Sequence, residues 1–350
     1  MAVRDFKNKV ITVFGDSIGK GITTDTGKPT VMDNYAVKSF EETYEIKINN
    51  VSAFGNSLKR ICERGVIDRY ISGLDKTSKN VAVIELGGND ADFDWKAVAA
   101  TPDFCHTSKT SPEEFSVLYK ETLDKLLNAG VEVVPCTIPP VMSERYFSNV
   151  ISKVADGDRV LEFFKGDVDT IYRHQEMFNN EILKNSYAKG LNIIDLRQRF
   201  LTSLQFKNLM CRDGIHPNEK GQDEIAYNLL LYSKLFFPRK EADKEIAFLE
   251  KRVGTKLKYY PDLGTIEYLR EKGLLYQRPD YIVSTYFALI KSMQDMMIKK
   301  EEFRTRDNYL ELIDYYHTLY FHRPGGQIHS ALLAVQREYE LKFPIKKEEN

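Results

Sequence analysis

Residues 9–19 read Lys-Val-Ile-Thr-Val-Phe-Gly15-Asp16-Ser17-Ile18-Gly19. The β-branched and aromatic run from Val10 to Phe14 is a strand pattern, and the glycine directly after it permits a tight turn. In an open parallel sheet the carboxyl ends of the strands face the ligand crevice, so this turn puts Ser17 where a ligand can reach it. The stretch alone is equally well read as a strand-to-helix turn with Ser17 as N-cap. Two other readings fail, one on spacing and one on position in the chain. A phosphate-binding P-loop needs four residues between its glycines and a Ser or Thr after the lysine, whereas three separate Gly15 from Gly19 and Gly21 follows Lys20. Gly15-x-Ser17-x-Gly19 also matches the nucleophile elbow of α/β-hydrolases. That elbow follows several strands, and about one precedes Ser17 here.

Working outward, residues 45–52, 80–86, 131–138 and 191–196 read as four more strands. The last three are continuously apolar over several residues, as strands buried on both faces are. Helices lie between them. Ser111-Pro112-Glu113-Glu114 supplies an N-cap, a proline at N1 and a capping-box glutamate, and Phe115, Leu118, Leu123, Leu126 and Leu127 recur near helical spacing before Gly130. Residues 167–188 carry Ile171, Phe178, Ile182 and Leu183 and end at Gly190. This alternation predicts βαβ units with right-handed crossovers. The expected fold is a three-layer α/β/α domain around a five-stranded parallel sheet in the flavodoxin-like order 2-1-3-4-5. Residues 90–111 and 140–166 are long for connections and are therefore candidate functional loops.

After Phe236-Phe237-Pro238 the alternation stops. Residues 239–252 (RKEADKEIAFLEKR) form a charged helical pattern, Tyr259-Tyr260-Pro261-Asp262 a turn, and 280–340 two or three helices. The expected organisation is an α/β domain over 1–240 and an all-helical extension over 241–350, serving as a lid, an oligomer interface or a partner interface.

With 42% hydrophobic and 29% charged residues among 350, the chain can build a sizeable core. Its formal charge of -1 gives no general attraction to nucleic acid or an anionic membrane. Cys62, Cys105, Cys136 and Cys211 form no close pair, so neither a disulfide framework nor a metal knuckle is indicated. The first apolar run is too short for a signal peptide, and no stretch approaches the ~20 apolar residues that span a bilayer. These features predict a cytoplasmic protein with reduced thiols, no integral membrane segment and no nucleic-acid partner. His317, His322 and His329 do not share one helix face, and Pro324-Gly325-Gly326 interrupts them, so they read as packing residues rather than metal ligands. Tyr315, Tyr316, Tyr320 and Phe321 read as core or interface.

Three further strand or loop ends carry chemistry. Residues 213–216 are Asp-Gly-Ile-His, followed by Pro217 and an amphipathic helix. A serine hydroxyl is a weak nucleophile until a base takes its proton. Histidine suits that task, and a carboxylate such as Asp213 can hold the required tautomer. The same residues also read as a turn at Asp213-Gly214 with Asn218 capping the helix. A tetrahedral oxyanion needs preorganised donors. Gly55, after the second strand, could offer a bare backbone N–H, and Asn89, in Gly87-Gly88-Asn89-Asp90 after the third, a side-chain amide. Each motif in isolation is an ordinary loop; in the order 2-1-3-4-5 the serine, glycine and asparagine become neighbours at the switch point.

This ordered set resembles the SGNH (GDSL-type) hydrolase family over roughly residues 5–237: Gly-Asp-Ser at 15–17, glycine at 55, Gly-x-Asn-Asp at 87–90 and Asp-x-x-His at 213–216. The resemblance implies Ser17 as nucleophile, His216 as general base and acid, and Asp213 as its orienting carboxylate. It also implies an oxyanion hole from the Ser17 backbone N–H, Gly55 and Asn89, with no metal or organic cofactor. Ser52 departs from the pattern, standing where family members often carry a glycine. Ile18, Asp90, Trp95 and Ile215 are candidate substrate-lining residues, Trp95 being equally a loop anchor. The implied reaction is hydrolysis of a small-molecule ester through an acyl-enzyme, with small acyl esters such as acetylated carbohydrates expected. Lysophospholipids and thioesters are alternatives within the family. The rival of another class is a non-catalytic protein that binds an acylated ligand or a partner, and the C-terminal helices could also pair copies into a homo-oligomer.

Overall fold

The computed structural model describes residues 9–236, 280–322 and 326–344. The charged pattern at 239–252, the turn at 259–262 and the expected domain boundary near 240 lie outside the described residues. Among the described residues no helix is long and apolar enough to cross a membrane.

The chain divides into two compact units, one of residues 5–201 and 207–231, the other containing 202–206 and 232–350. The first is an α/β unit. Its elements in order are β1 (Lys9–Gly15), β2 (Ile22–Thr23), β3 (Thr30–Val31), α1 (Ala36–Tyr44), β4 (Ile48–Asn50), α2 (Leu58–Glu63), α3 (Val66–Ser72) and β5 (Lys79–Glu85). Then follow α4 (Trp95–Ala100), α5 (Pro112–Asn128), β6 (Glu132–Pro135), α6 (Ser143–Tyr146), α7 (Ser152–Val154), α8 (Gly157–Phe163), α9 (Thr170–Ala188), α10 (Leu196–Thr202) and α11 (Glu219–Phe236), the last residue of α10 and the last five of α11 falling in the second unit.

The main sheet is parallel with order β4-β1-β5-β6. Phe14, Ala82 and Ile84 point into a core with Leu58 and Ile61 of α2, Ile67 of α3, Phe115, Tyr119, Leu123 and Leu126 of α5, and Phe178 and Ile182 of α9. Ile11, Val13 and Val81, which alternate with them along the strands, are buried outside that cluster. Both faces of the central strands are therefore covered, which is why those runs are apolar throughout.

Among the described residues this sheet has four strands, not five. The run at 191–196 contributes a single parallel bridge, Cys136 to Ile194. Its two ends are taken by helices. Leu191 N–H bonds the Ser186 carbonyl to close α9. Asp195 Oδ1 accepts the Gln198 N–H at the start of α10 and the Thr137 hydroxyl. What remains between the two caps is too short for a ladder.

The long connections are likewise not open loops. Asp94 caps α4 by accepting from Lys96 and Ala97. Residues 143–154 run through α6, a π-helical turn (Phe147–Ile151) and α7, with Asp156 capping α8. Elsewhere the expected signals hold: Ser111 accepts from Glu114 N–H with Pro112 at N1 of α5, and Gly130 and Gly190 take left-handed φ of 76° and 65°.

The second unit, among its described residues, holds α12 (Asp280–Lys299), α13 (Arg306–His322) and α14 (Gly326–Lys342), with α13 packed on both others. Met293, Met297, Tyr309, Leu312, Tyr315, Tyr316, Leu319 and Val335 are buried in it. Of the expected aromatic cluster, Tyr315 and Tyr316 are core and Tyr320 packs against the His329 ring.

Candidate active site

Because the sheet is parallel, β1, β4 and β5 release their chains at one edge. Gly15 pairs with Glu85 across that edge. Beyond Gly15 the backbone coils once, with Lys20 N–H on Asp16 O, Gly21 N–H on Ile18 O and Ile22 N–H on Ser17 O. It then enters the short β2–β3 hairpin. No helix starts at Ser17, so the N-cap reading is overturned.

The Asp213–His216 segment reaches the same edge after α10. Met210 and Pro217 form an antiparallel bridge, and Cys211 N–H bonds His216 O at 2.8 Å. Gly214 turns between them at φ 76°. A side chain there would meet Met142 O at 2.7 Å and Tyr146 N at 2.9 Å. Arg145 Nη1 donates to the Met210 carbonyl, at 3.0 Å, and the Cys211 carbonyl. Asn218 does cap α11, its Oδ1 accepting from Gly221 N–H, so the local reading of this loop and the chemical one coexist.

Three side chains separated widely in sequence converge. Ser17 Oγ lies 2.8 Å from His216 Nε2, and His216 Nδ1 lies 2.6 Å from Asp213 Oδ2. Asp213 Oδ1 accepts the N–H groups of Ile215 and His216, and Oδ2 also accepts the Thr24 hydroxyl at 2.7 Å. Burial would raise the Asp213 carboxyl, but the hydrogen bond and charge of His216, the Ile215 amide and Thr24 outweigh it and bring it down to about 2. An ionised Asp213 favours the proton on Nδ1, which leaves Nε2 as acceptor for the serine hydroxyl. This geometry can therefore move a proton from Ser17 to His216.

Asn89 sits beside this group with its amide already engaged. Nδ2 donates to Asp16 Oδ2 at 3.2 Å and to the Asn56 carbonyl at 2.9 Å. Asp16 is buried, and burial pushes it up to about 6 despite the Ile18 amide, the His216 charge and Asn89, which pull the other way. Gly55 adopts φ 71°, in the left-handed region that favours glycine.

A cavity of about 520 Å³ opens on Ser17 and His216. Ile18, Gly55, Asn89, Trp95 and Ile215 line it, together with residues the sequence did not single out: Phe54, Asp92, Tyr146, His174 and Gln175. Phe54 is 57% exposed with its ring parallel to His216 at 6.1 Å. Trp95 is also an anchor, its Nε1 donating to Asp92 Oδ1 and Tyr146 OH. The His174 Nε2 has no partner among the described residues, and burial lowers the pKa of the ring.

Asp90, expected to line the site, does not. It is completely buried, and its carboxylate accepts Leu58 N–H, Lys59 N–H and the Thr110 hydroxyl. It fixes the start of α2 instead, because its side chain leaves the backbone in a different direction from that of Asn89. Sequence reasoning misses Thr24 and Glu85. Thr24 carries no sequence signal, but Glu85, a lone charge in the apolar run NVAVIEL, is visible as an anomaly. Among the described residues no group of His, Cys, Asp and Glu converges to hold a metal ion.

The model of the GDSL-like Lipase/Acylhydrolase family matches residues 13–224. Similar solved structures include a lipase/acylhydrolase from Enterococcus faecalis, 17% identical, TM-score 0.43, over 67% of this chain and 99% of that one. An acetyl xylan esterase is 20% identical, TM-score 0.42, over 63% and 98%. Another, from Geobacillus stearothermophilus, is 15% identical, TM-score 0.44, over 67% and 97%. No curated protein matches the sequence.

Proposed function

The chain belongs to the GDSL-like lipase/acylhydrolase family, and from that membership we propose that it is a serine ester hydrolase with Ser17 as nucleophile. The observation that carries the reading is the continuous chain of contacts from Ser17 Oγ through His216 to Asp213. His216 takes the serine proton as Oγ attacks the ester carbonyl and returns it to the leaving alcohol. Water then repeats the sequence to release the acid. The Ser17 and Gly55 backbone N–H groups and the Asn89 amide receive the oxyanion. Both hydrogens of that amide are taken, by Asp16 Oδ2 at 3.2 Å and the Asn56 carbonyl at 2.9 Å, so the longer bond to Asp16 is exchanged for the oxyanion while Asn56 keeps the amide oriented.

Asn89→Ala is expected to lower kcat by about 10²–10³ with little change in KM. An unchanged kcat removes Asn89 from the oxyanion site.

The substrate we propose is a small acyl ester of a hydroxylated alcohol, acetylated carbohydrates being the leading class. Polar groups (Asn89, Gln175, His174) and apolar ones (Ile138, Val141, Ile171) share the cavity wall, as a site for a sugar with a short acyl group needs. A panel of nitrophenyl esters from acetyl upward tests this, with kcat/KM expected to fall steadily beyond acetyl. An optimum at long chains moves the assignment to lysophospholipid or thioester substrates, and no hydrolysis of any ester leaves the acyl-ligand binder.

A further inference from the structure

Glu85 ends β5 opposite Gly15, and a carboxyl group is out of place there. Ile84 and Leu86 beside it are enclosed, and Glu85 is itself buried. An ionised carboxylate without a cation is among the costliest groups to bury. The titratable group that acts on it is another acid, Asp16 after β1, and Glu85 in turn raises the buried thiol of Cys136 after β6.

Its hydrogen bonds go to the turn above. Oε2 accepts Asp16 N–H at 3.4 Å and Gly19 N–H at 3.2 Å, one residue before and two after Ser17. Among the described residues the second oxygen, Oε1, has no partner, and neither has the Ser52 hydroxyl. These groups share one small space. Ser52 Oγ and Glu85 Oε2 lie 2.6 and 2.9 Å from where a Cβ on Gly15 would sit, and 2.8 and 3.1 Å from that position on Gly19. Both positions are glycine because those two side chains fill the room. An oxygen without a partner in a dry space is costly, and far more so when it carries charge. A proton on the carboxyl removes that charge.

We propose that Glu85 is a positioning residue that holds the Ser17 turn as a neutral carboxylic acid, accepting the Asp16 and Gly19 N–H groups through Oε2. This rests on Ser17 being the nucleophile. Burial first, then the neighbouring Asp16 charge, pushes Glu85 well above the usual carboxylate range, and two carboxyls this close resist double ionisation.

Glu85→Gln is neutral and keeps an acceptor for the turn. Glu85→Leu keeps volume and loses it. Counted per site reactive with a fluorophosphonate, kcat is expected to stay within about 3-fold of wild type for Gln, the effect of one imperfect hydrogen bond. For Leu it is expected to fall about 10–100-fold with KM nearly constant, as a slightly displaced nucleophile would give. Counting per reactive site removes the effect of merely losing folded molecules. Wild-type kcat in the Leu variant, or equal damage in both, overturns the proposal. If the Leu variant does not fold, infrared spectroscopy decides. Wild type at neutral pH should show a protonated-carboxyl band that Glu85→Gln lacks, and its absence overturns the assignment. Unchanged fluorophosphonate labelling in Ser17→Ala would instead refute the nucleophile, a result distinguishable from either of these.

Discussion

Replacing Ser17 with alanine is expected to lower kcat by about 10⁶-fold, the scale of loss when a serine hydrolase is deprived of its nucleophile. The change deletes one atom, the Oγ at 2.8 Å from His216 Nε2. The rest of the turn keeps its supports: Glu85 on Gly19 N–H, Asn50 Nδ2 on Gly19 O and Asn56 Nδ2 on Gly15 O. Stability should therefore move by only about 1 kcal/mol, the net worth of a typical hydrogen bond, and the melting temperature checks that the variant is folded. Two measurements settle the role. Hydrolysis of nitrophenyl acetate should drop to a residue sustained by binding and the remaining oxyanion donors, and a fluorophosphonate should add no mass to the variant while modifying wild type fully. Hydrolysis that survives the substitution would place the nucleophile elsewhere. A wild type that neither labels nor hydrolyses would favour the acyl-ligand binder, for which His216 and Asp213 have no use.

Which parts of this arrangement can be read from sequence follows from where the information is stored. The central strands β1 and β5 declare themselves because both of their faces are covered, and a largely apolar run is local. Residues 191–196 look the same, yet the segment is consumed by two helix caps, Leu191 on Ser186 and Asp195 on Gln198. A cap and a strand end compete for the same few residues, and hydropathy does not arbitrate between them. The helices inside 90–111 and 140–166 are hidden for a related reason: each spans a turn or two, too short for a periodic pattern, and only the Asp94 and Asp156 caps mark them.

At the site, Ser17, Asn89 and His216 are legible because each sits in a motif at a predicted strand or loop end. The supports are not. Thr24 reaches Asp213 across 189 residues of chain, and Glu85 reaches Gly19 across 66. Asp90 shows the opposite error. Adjacent to Asn89 in sequence, it reads as a companion in the cavity, whereas consecutive side chains diverge and Asp90 holds the start of α2.

Asp213→Asn is the second decisive substitution, with an expected loss in kcat of about 10⁴-fold. The shape is conserved, so the effect isolates charge and proton placement. Asp213 Oδ2 can only accept, and the partner 2.6 Å away at Nδ1 must then carry a proton. An asparagine can turn its amide nitrogen toward Nδ1, which drives the proton to Nε2 and removes the acceptor that Ser17 needs. Thr24 sharpens the case. Its hydroxyl donates to the same Oδ2 in wild type, but it can also accept, so it can tolerate the amide in that orientation. Stability responds separately. Asp213 titrates at about 2 in the fold against an ordinary aspartate value of 3.8. Such a depressed carboxyl contributes about 2 kcal/mol above pH ~4, lost as pH falls from there through about 2. Asparagine forfeits that contribution at neutral pH and flattens the acid limb of the unfolding curve. The measurements are kcat in the plateau of the pH profile, corrected for folded fraction, and ΔG of unfolding against pH for both proteins. A kcat loss accounted for entirely by unfolded molecules would reduce Asp213 to a structural residue. A large loss in fully folded enzyme, with Ser17 still present but slow to label, assigns it the orientation of His216.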